Sequence, residues 1–180
     1  MFEPITDDDI ATVAALMNRA YRGSAAQAGW NSEAAYIAGD RTNETLLRAA
    51  ILANPEALFL KWVEHPNETV LGCVWLQSLD HDSWYLGSLA AEPSRQNEGL
   101  GRTLLAAAEA LVRAQGGKRI RMTVVNVRST LIAWYLRRGY RLTGETEPFP
   151  YDDDRFGTPL RDDLAFVVLE KDLTSDRASV

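Results

Sequence analysis

The sequence predicts a mixed α/β domain, a central sheet of about six or seven strands flanked by helices. Three observations predict it. Segments of alternating polarity recur along the chain, interleaved with segments whose apolar residues fall at helical spacing. No internal repeat, low-complexity block or linker divides the 180 residues, so they are read as one domain spanning 1–180. Hydrophobic residues make up 46% and charged residues 24%, the balance of a globular protein rather than a disordered or fibrous one.

Residues 2–5 read as a short strand. Thr6 is placed to cap a helix whose first turn is Asp7-Asp8-Asp9, because acidic groups favour a helix N-terminus. Ile10, Val13, Ala14, Met17 and Tyr21 follow at helical spacing, and Gly23 is a stop. Residues 24–56 are polar and irregular, with helical pieces expected near 32–38 and 43–53. Residues 57–64 and 69–79 read as strands joined by the turn His65-Pro66-Asn67-Glu68. Asp80-His81-Asp82 is a second turn. Residues 83–91 form a third strand, in which Gly87 marks a bulge or a splay.

After Glu92-Pro93 comes a glycine-bearing loop and a helix over about residues 99–115, with Leu100, Leu104, Leu105, Ala108, Leu111 and Val112 on one face. Gly116-Gly117 ends it. From Lys118 to Asn126, Ile120, Met122 and Val124 alternate with Arg119, Arg121 and Thr123, which predicts a strand. Residues 128–138 read as a helix stopped by Gly139. Tyr140–Gly144 and Ala165–Glu170 are the last strands, separated by a loop rich in Pro and Asp.

Composition narrows the function classes. The formal net charge is -6 and the pI about 5.0, which argues against a diffuse nucleic-acid or anionic-membrane binder. The acidity suits a cationic partner and equally suits solubility alone. The single cysteine, Cys73, lies in an apolar run and is read as a buried thiol. His65 and His81 stand apart beside turns, so no metal site is expected. The N-terminus lacks the basic and apolar regions of a signal peptide, and no apolar run approaches a membrane span. A cytoplasmic protein with no membrane partner is the expectation. Trp62, Trp75 and Trp84 on strands and Trp30 on a loop leave a homodimer open.

The chemistry-bearing segment is Gln96-Asn97-Glu98-Gly99-Leu100-Gly101-Arg102, between a strand and a helix. A helix N-terminus leaves backbone N–H groups unpaired and carries partial positive charge, so a pyrophosphate fits there. Glycines at 99 and 101 let phosphate oxygens approach the backbone, and Arg102 adds a charge-assisted contact. Close helix–strand packing through a tight turn is the other reading of the same glycines. The loop is not a Walker A sequence, because Gly101 is followed by Arg102-Thr103 with no lysine. It is not a dinucleotide fingerprint either, because Leu104 stands where that pattern needs glycine.

At these residues the chain resembles the GNAT acyltransferases. Their motif is Gln/Arg-x-x-Gly-x-Gly/Ala after a strand ending in an x-Pro turn, and here it runs from Ala91-Glu92-Pro93 to Gly101. The family often has Val where this chain has Ala91. Downstream the family places an Asn at a strand end and an Ala-x-x-x-Tyr-x-x-x-Gly-Phe/Tyr helix end. Here these are Asn126, and Leu131-Ile132-Ala133-Trp134-Tyr135-Leu136-Arg137-Arg138-Gly139-Tyr140. The resemblance covers about residues 70–145.

The resemblance implies a GNAT-like acyl-CoA N-acyltransferase fold and an acetyl-CoA-dependent N-acetyltransferase acting on a primary amine. It implies donor contacts from Leu89, Ala90, Ala91, Gln96, Asn97, Glu98, Gly99, Leu100, Gly101, Arg102, Thr103, Asn126, Ala133, Tyr135 and Arg138. It further implies direct attack by the amine, a general-acid role for Tyr135 and a cofactor- or water-fixing role for Asn126, which also suits a strand-end cap. The strand before the loop is expected to splay from its neighbour, freeing backbone groups around Leu89–Ala91 for the thioester. The acceptor side is expected at residues 21–45 and 146–163, with Tyr21, Trp30, Tyr151 and Asp152 as binding residues, aromatic walls and carboxylates suiting a cationic amine. Asp82, Glu92, Glu145, Glu147 and Asp152–Asp154 all remain open as the base. A non-catalytic acyl-CoA-binding or regulatory module and a protein or peptide N-acyltransferase are the alternatives.

Overall fold

The computed structural model describes residues 1–23, 32–66, 68–95, 98–153, 155 and 157–174. In chain order the elements are β1 (Phe2–Pro4), α1 (Ile10–Arg22), β2 (Ile37–Ala38), α2 (Glu44–Ala53), β3 (Leu58–Trp62), β4 (Gly72–Ser78) and β5 (Ser83–Ala91). They continue with α3 (Leu100–Ala114), β6 (Arg119–Val125), α4 (Ser129–Leu136), β7 (Arg141–Pro148), β8 (Thr158–Pro159) and β9 (Ala165–Asp172). Seven strands form one sheet in the order β1-β3-β4-β5-β6-β9-β7, and β2 pairs with β8 in a separate two-stranded ribbon. All neighbours in the large sheet are antiparallel except β5 and β6.

The side-chain alternation of the central strands explains the layering. Phe59 and Cys73 pack with Ile10, Val13 and Met17 of α1 and Leu47 of α2. The next residues in sequence, Leu60 and Val74, pack instead with Leu105, Ala108 and Val112 of α3 and Leu131 and Tyr135 of α4. Successive side chains point to opposite faces of a strand, so two apolar faces demand two helical layers. Gly72 marks the closest approach between layers. A Cβ there would lie 2.6 Å from Leu104 Cδ2 and 2.9 Å from the Ala90 carbonyl oxygen.

Local chemistry sets the helix ends. The Thr6 backbone N–H and hydroxyl both donate to Asp9 Oδ2, at 2.9 and 2.8 Å, fixing a single 3-10 turn that leads into α1. Asn43 Oδ1 accepts from Leu46 N at 2.9 Å and caps α2, within the segment expected to be helical. Two expectations are corrected. Residues 32–38 do not form a helix; after a turn, Ile37 and Ala38 pair with Pro159 and Thr158, a partner the local pattern does not reveal. The strand expected at 140–144 runs from Arg141 to Pro148, because Gly144, at φ +88°, absorbs a register shift between Leu142 and Thr146 and lets the strand resume on β9.

The feature that positions the site is the partial pairing of β5. It lies beside β6 only at Ser83, Tyr85 and the residue between them, opposite Arg119 to Arg121. Beyond Tyr85 the two strands part. On the other side, β5 stays with β4 but slips register: Cys73 faces Ala90, and Trp75 faces Gly87. Ser88 and Leu89 therefore oppose Val74 alone, a bulge that bends the strand. Ser88 has φ +49°, a conformation that costs a non-glycine residue about 1–3 kcal/mol. Two side chains hold the bulge: Cys73 Sγ donates to the Ser88 carbonyl at 3.4 Å, and the Tyr21 hydroxyl donates to the Leu89 carbonyl at 2.9 Å. No helix among the described residues is long and apolar enough to cross a membrane.

Candidate active site

Two cavities open on either side of the bent end of β5. The first, of about 490 Å³, lies between that end, the N-terminus of α3 and the C-terminal half of α4. Leu89, Ala91, Glu92 and Pro93 form one wall, and Glu98 to Arg102 with Leu104 form another. Thr130, Trp134, Tyr135, Arg137 and Arg138 close it. Gly99 takes φ +79°, left-handed backbone that favours glycine, and turns the chain into α3. Arg95 pairs with Glu98, and with Glu64 at 2.9 Å, tying the loop to the segment after β3.

The first cavity is electropositive. Arg102, Arg137 and Arg138 line it, and none of them forms an ion pair with a carboxylate among the described residues. The Arg138 guanidinium lies 3.6 Å from the Trp134 ring centroid and donates from Nη1 to the Trp134 carbonyl at 2.8 Å. Its Nε is buried without a hydrogen-bond partner. Burial, then the neighbouring Arg137 and Arg102 charges, hold its pKa below the ordinary arginine value. Arg102 near the start of α3 and Arg137 and Arg138 just after α4 bring three like charges and an orphaned donor to one cavity, an arrangement complementary to a polyanion.

The second cavity, of about 290 Å³, lies in the gap where β5 leaves β6. Tyr21, Arg22, Glu33 and Arg41 line it from the α1 side, Tyr85 to Leu89 from β5, and Met122 to Val125 from β6. Arg128, Tyr135, Glu147 and Phe149 complete it. Its most buried polar feature is an ion cluster: Glu33 pairs with Arg22, and its Oε1 accepts from Arg128 Nη1 at 2.8 Å. The three side chains are only 5–9% exposed. Burial lowers the pKa of Arg22 and Glu33 opposes that shift. The cluster joins α1, the segment before β2 and the turn before α4.

Leu89 and Tyr135 line both cavities, so this is where ligands in the two would meet. Tyr135 is 6% exposed and packs edge-on against Trp134 and Tyr140. Burial raises its hydroxyl pKa well above the ordinary tyrosine value, so the hydroxyl keeps its proton.

Among the donor-side residues expected from sequence, Leu89, Ala91, Glu98, Gly99, Leu100, Gly101, Arg102, Tyr135 and Arg138 line the first cavity. Gln96 and Asn97 lie outside the described residues. Ala90, Thr103 and Ala133 do not line it. The Ala90 side chain is buried in the α1 layer, the Thr103 hydroxyl turns back to the Gly99 carbonyl at 3.3 Å, and Ala133 sits elsewhere on α4. Asn126 lines neither cavity. Its Nδ2 donates to the Asp163 carbonyl at 2.9 Å and its Oδ1 accepts from Ala165 N at 3.0 Å, so its amide clamps β6 to the start of β9.

On the acceptor side, Tyr21 lines the second cavity and Trp30 lies outside the described residues. Tyr151 and Asp152 line neither cavity: the Tyr151 hydroxyl accepts from Leu164 N at 2.7 Å and its ring packs on Phe149, while Asp152 is exposed. Of the carboxylates open as base, Asp82 pairs with Lys118, Glu92 with Arg19, Glu145 with Arg121 and Asp153 with Arg155. Asp154 lies outside the described residues. Glu147 alone among these described carboxylates lines the second cavity. Arg41 and Arg128 were not singled out from sequence, and no local signal marks them: Arg128 meets a partner 95 residues away.

The fold has counterparts among known proteins. The model of the Acetyltransferase (GNAT) family matches residues 17–140. A search of curated protein sequences finds no match. Among solved structures, the chain is similar to a GNAT family acetyltransferase from Elizabethkingia anophelis with acetyl-CoA bound (18% identity, 70% of this chain and 81% of that one, TM-score 0.55). It is also similar to the PaiA N-acetyltransferase from Thermoplasma acidophilum in complex with coenzyme A (17%, 96% and 98%, TM-score 0.65). A third is the ribosomal-protein-S18-alanine N-acetyltransferase from Escherichia coli (16%, 96% and 93%, TM-score 0.66). With the family model spanning most of the chain and the splayed β5 at its centre, the chain belongs to the GNAT acetyltransferase family.

Proposed function

We propose that the chain transfers the acetyl group of acetyl-CoA to a primary amine of a small acceptor, by direct attack of the amine. The observation that carries this reading is the meeting of the two cavities at Leu89 and Tyr135. The first cavity is the donor side. Arg102, Arg137, Arg138 and the α3 N-terminus fit the phosphates of the donor, and the orphaned Arg138 Nε is a donor in want of such an acceptor. The solved relatives that contain acetyl-CoA or coenzyme A support the same assignment. The second cavity is the acceptor side, and at about 290 Å³ it stands at the small end of ligand pockets, which favours a small amine over a long peptide.

Acetyl-CoA supplies an acyl group activated as a thioester, with a thiolate as leaving group. The residues do the rest. The strand splay leaves backbone around Leu89–Ala91 unpaired with β6, and N–H groups there stabilise the charge developing on the acyl oxygen. Tyr21 takes the Leu89 carbonyl and keeps this segment bent. The amine nitrogen forms a bond to the acyl carbon as the C–S bond breaks, and the nitrogen gives up a proton. Tyr135, protonated and at the junction, gives its proton to the departing sulfur and regains one from solvent. Asn126 acts at a distance, by holding the end of β6 against β9.

A thermal-shift titration tests the donor side first. Acetyl-CoA and CoA raise the melting temperature by linkage and ATP does not. The absence of a rise with any CoA species would remove the reading. A rise without transfer to any amine would leave a binding module instead.

A further inference from the structure

The acceptor cavity carries more charge than an amine alone requires. Arg22 and Arg128 are both engaged by Glu33, so these three account for one another as a buried clamp. Two further charges line the same cavity. Arg41 is half-buried, its guanidinium carbon 5.5 Å from the Tyr21 ring centroid, and its backbone N–H is held by Asn18 Oδ1 at 2.8 Å. Among the described residues no carboxylate lies within 4.0 Å of its guanidinium. Glu147, solvent-exposed near the end of β7 and paired through its backbone to Phe166, lines the same cavity, and among the described residues its carboxylate has no cation within 4.0 Å. The two do not pair with each other. A cation and an anion on the walls of one small cavity, neither ion-paired among the described residues, are complementary to a ligand bearing both signs.

We infer that the acceptor is a small amino acid or a close relative of one: an amine that also carries a carboxylate, held by Arg41 at the carboxylate and by Glu147 at the amine. This rests on the acetyl-transfer reading above and narrows its substrate. Arg41 offers a planar fork of donors that matches a carboxylate, and the Tyr21 ring beneath it limits its movement. Glu147 pairs with the ammonium, takes one proton from it and passes that proton to solvent, then takes the second proton from the nitrogen as the amine attacks. The C–N bond forms, the C–S bond breaks, and Tyr135 protonates the sulfur. Glu147 returns its proton to solvent, and Tyr135 takes one back, so the products are the N-acetylated acid and free CoA thiol.

The test measures CoA thiol release with a panel of free amino acids, their methyl esters and the corresponding decarboxylated amines. The wild type is compared with Arg41→Gln, Arg41→Lys and Glu147→Gln, each first shown to keep its thermal shift with acetyl-CoA. The wild type prefers the free acids. Arg41→Gln lowers kcat/KM for them by about 10- to 100-fold, mainly through KM, and changes the esters and decarboxylated amines by less than about twofold. Arg41→Lys keeps part of the preference for acid over ester. Glu147→Gln lowers kcat for acid, ester and amine alike, by about 10²- to 10⁴-fold. Decarboxylated amines turned over as well as the acids, or equal losses for acid and ester in Arg41→Gln, would overturn this inference and leave acetyl transfer standing. No transfer to any amine would overturn both.

Discussion

The two cavities share Leu89 and Tyr135 but are made of different material. The donor side draws mostly on two short stretches of chain, residues within 91–95 and 98–104, and on Thr130, Trp134, Tyr135, Arg137 and Arg138 in and just after α4. Its chemistry is backbone N–H groups at a helix start and three arginines that face solvent on one side. The acceptor side is built from side chains that arrive singly, from Tyr21, Glu33, Arg41, Arg128 and Glu147, on five separate segments. Its charges are buried at Glu33 and Arg128, half-buried at Arg41 and exposed at Glu147. A site made of backbone tolerates change in most of its side chains, whereas a site made of scattered charges can be rewritten residue by residue while the fold stays. In the acetyl transfer proposed above, the half built from backbone recognises the donor and the half built from scattered charges selects the acceptor.

Changes confined to one side sharpen this comparison. The largest stability effect is expected at Glu33. Glu33→Ala removes the carboxylate shared by Arg22 and Arg128 and lowers unfolding free energy by about 3–5 kcal/mol, read as a lower urea midpoint. Folded protein that remains still binds acetyl-CoA, because none of these residues lines the donor cavity. An unchanged midpoint would mean that the cluster is not the clamp between α1 and α4. On the donor side, Arg138→Ala weakens acetyl-CoA binding by about 10- to 100-fold in a calorimetric titration, more at low salt than at high. Affinity that does not change would take the phosphates away from this arginine group.

A smaller effect is expected where the layers touch. Gly72→Ala drives a methyl into Leu104 and the Ala90 carbonyl and destabilises by about 1–3 kcal/mol, while disturbing the donor wall through Leu104. The smallest effect at neutral pH concerns the groups around the bulge. Burial pushes the Cys73 thiol up to about 12 and raises Tyr21, Tyr135 and Tyr140 as well. In the unfolded chain these groups ionise near pH 9–10. The unfolded state therefore releases protons first, so their contribution to stability is full below about pH 9 and is lost as the pH climbs towards the folded values. Urea midpoints measured between pH 8 and 11 should fall, and alkylation of Cys73 at pH 8 should be slower than that of free cysteine by about 100-fold or more. A flat alkaline profile or a reactive thiol would place Cys73 outside the packed α1 layer.

The same contrast explains what was legible in the sequence. The strand from Ser83 to Ala91, the glycine loop, the helix after it and the helix bearing Tyr135 follow from local periodicity and punctuation, which act within a few residues. The splay was expected near Gly87, and the structure places the irregularity one residue on, at Ser88, with Cys73 and Tyr21 as the groups that hold it. Neither contact has a local signature. The segment at 32–38 read as helical because its strand partner, Thr158–Pro159, lies far along the chain. For the same reason neither Arg41 nor Arg128 stood out until the fold brought them to one cavity with Arg22 and Glu33. Tyr151 and Asp152 belong to an acidic, aromatic loop that looked like a cation site, yet the loop spends them on its own anchoring and on solvent.

The claim on which the rest depends is that acetyl transfer takes place at the junction of the two cavities. Tyr135→Phe tests it most directly, with acetyl-CoA affinity and acceptor turnover measured on the same protein. The account predicts affinity within about twofold of the wild type and a kcat lower by about 10²- to 10⁴-fold. Turnover that survives the loss of the hydroxyl would contradict it, and so would an affinity that falls together with turnover.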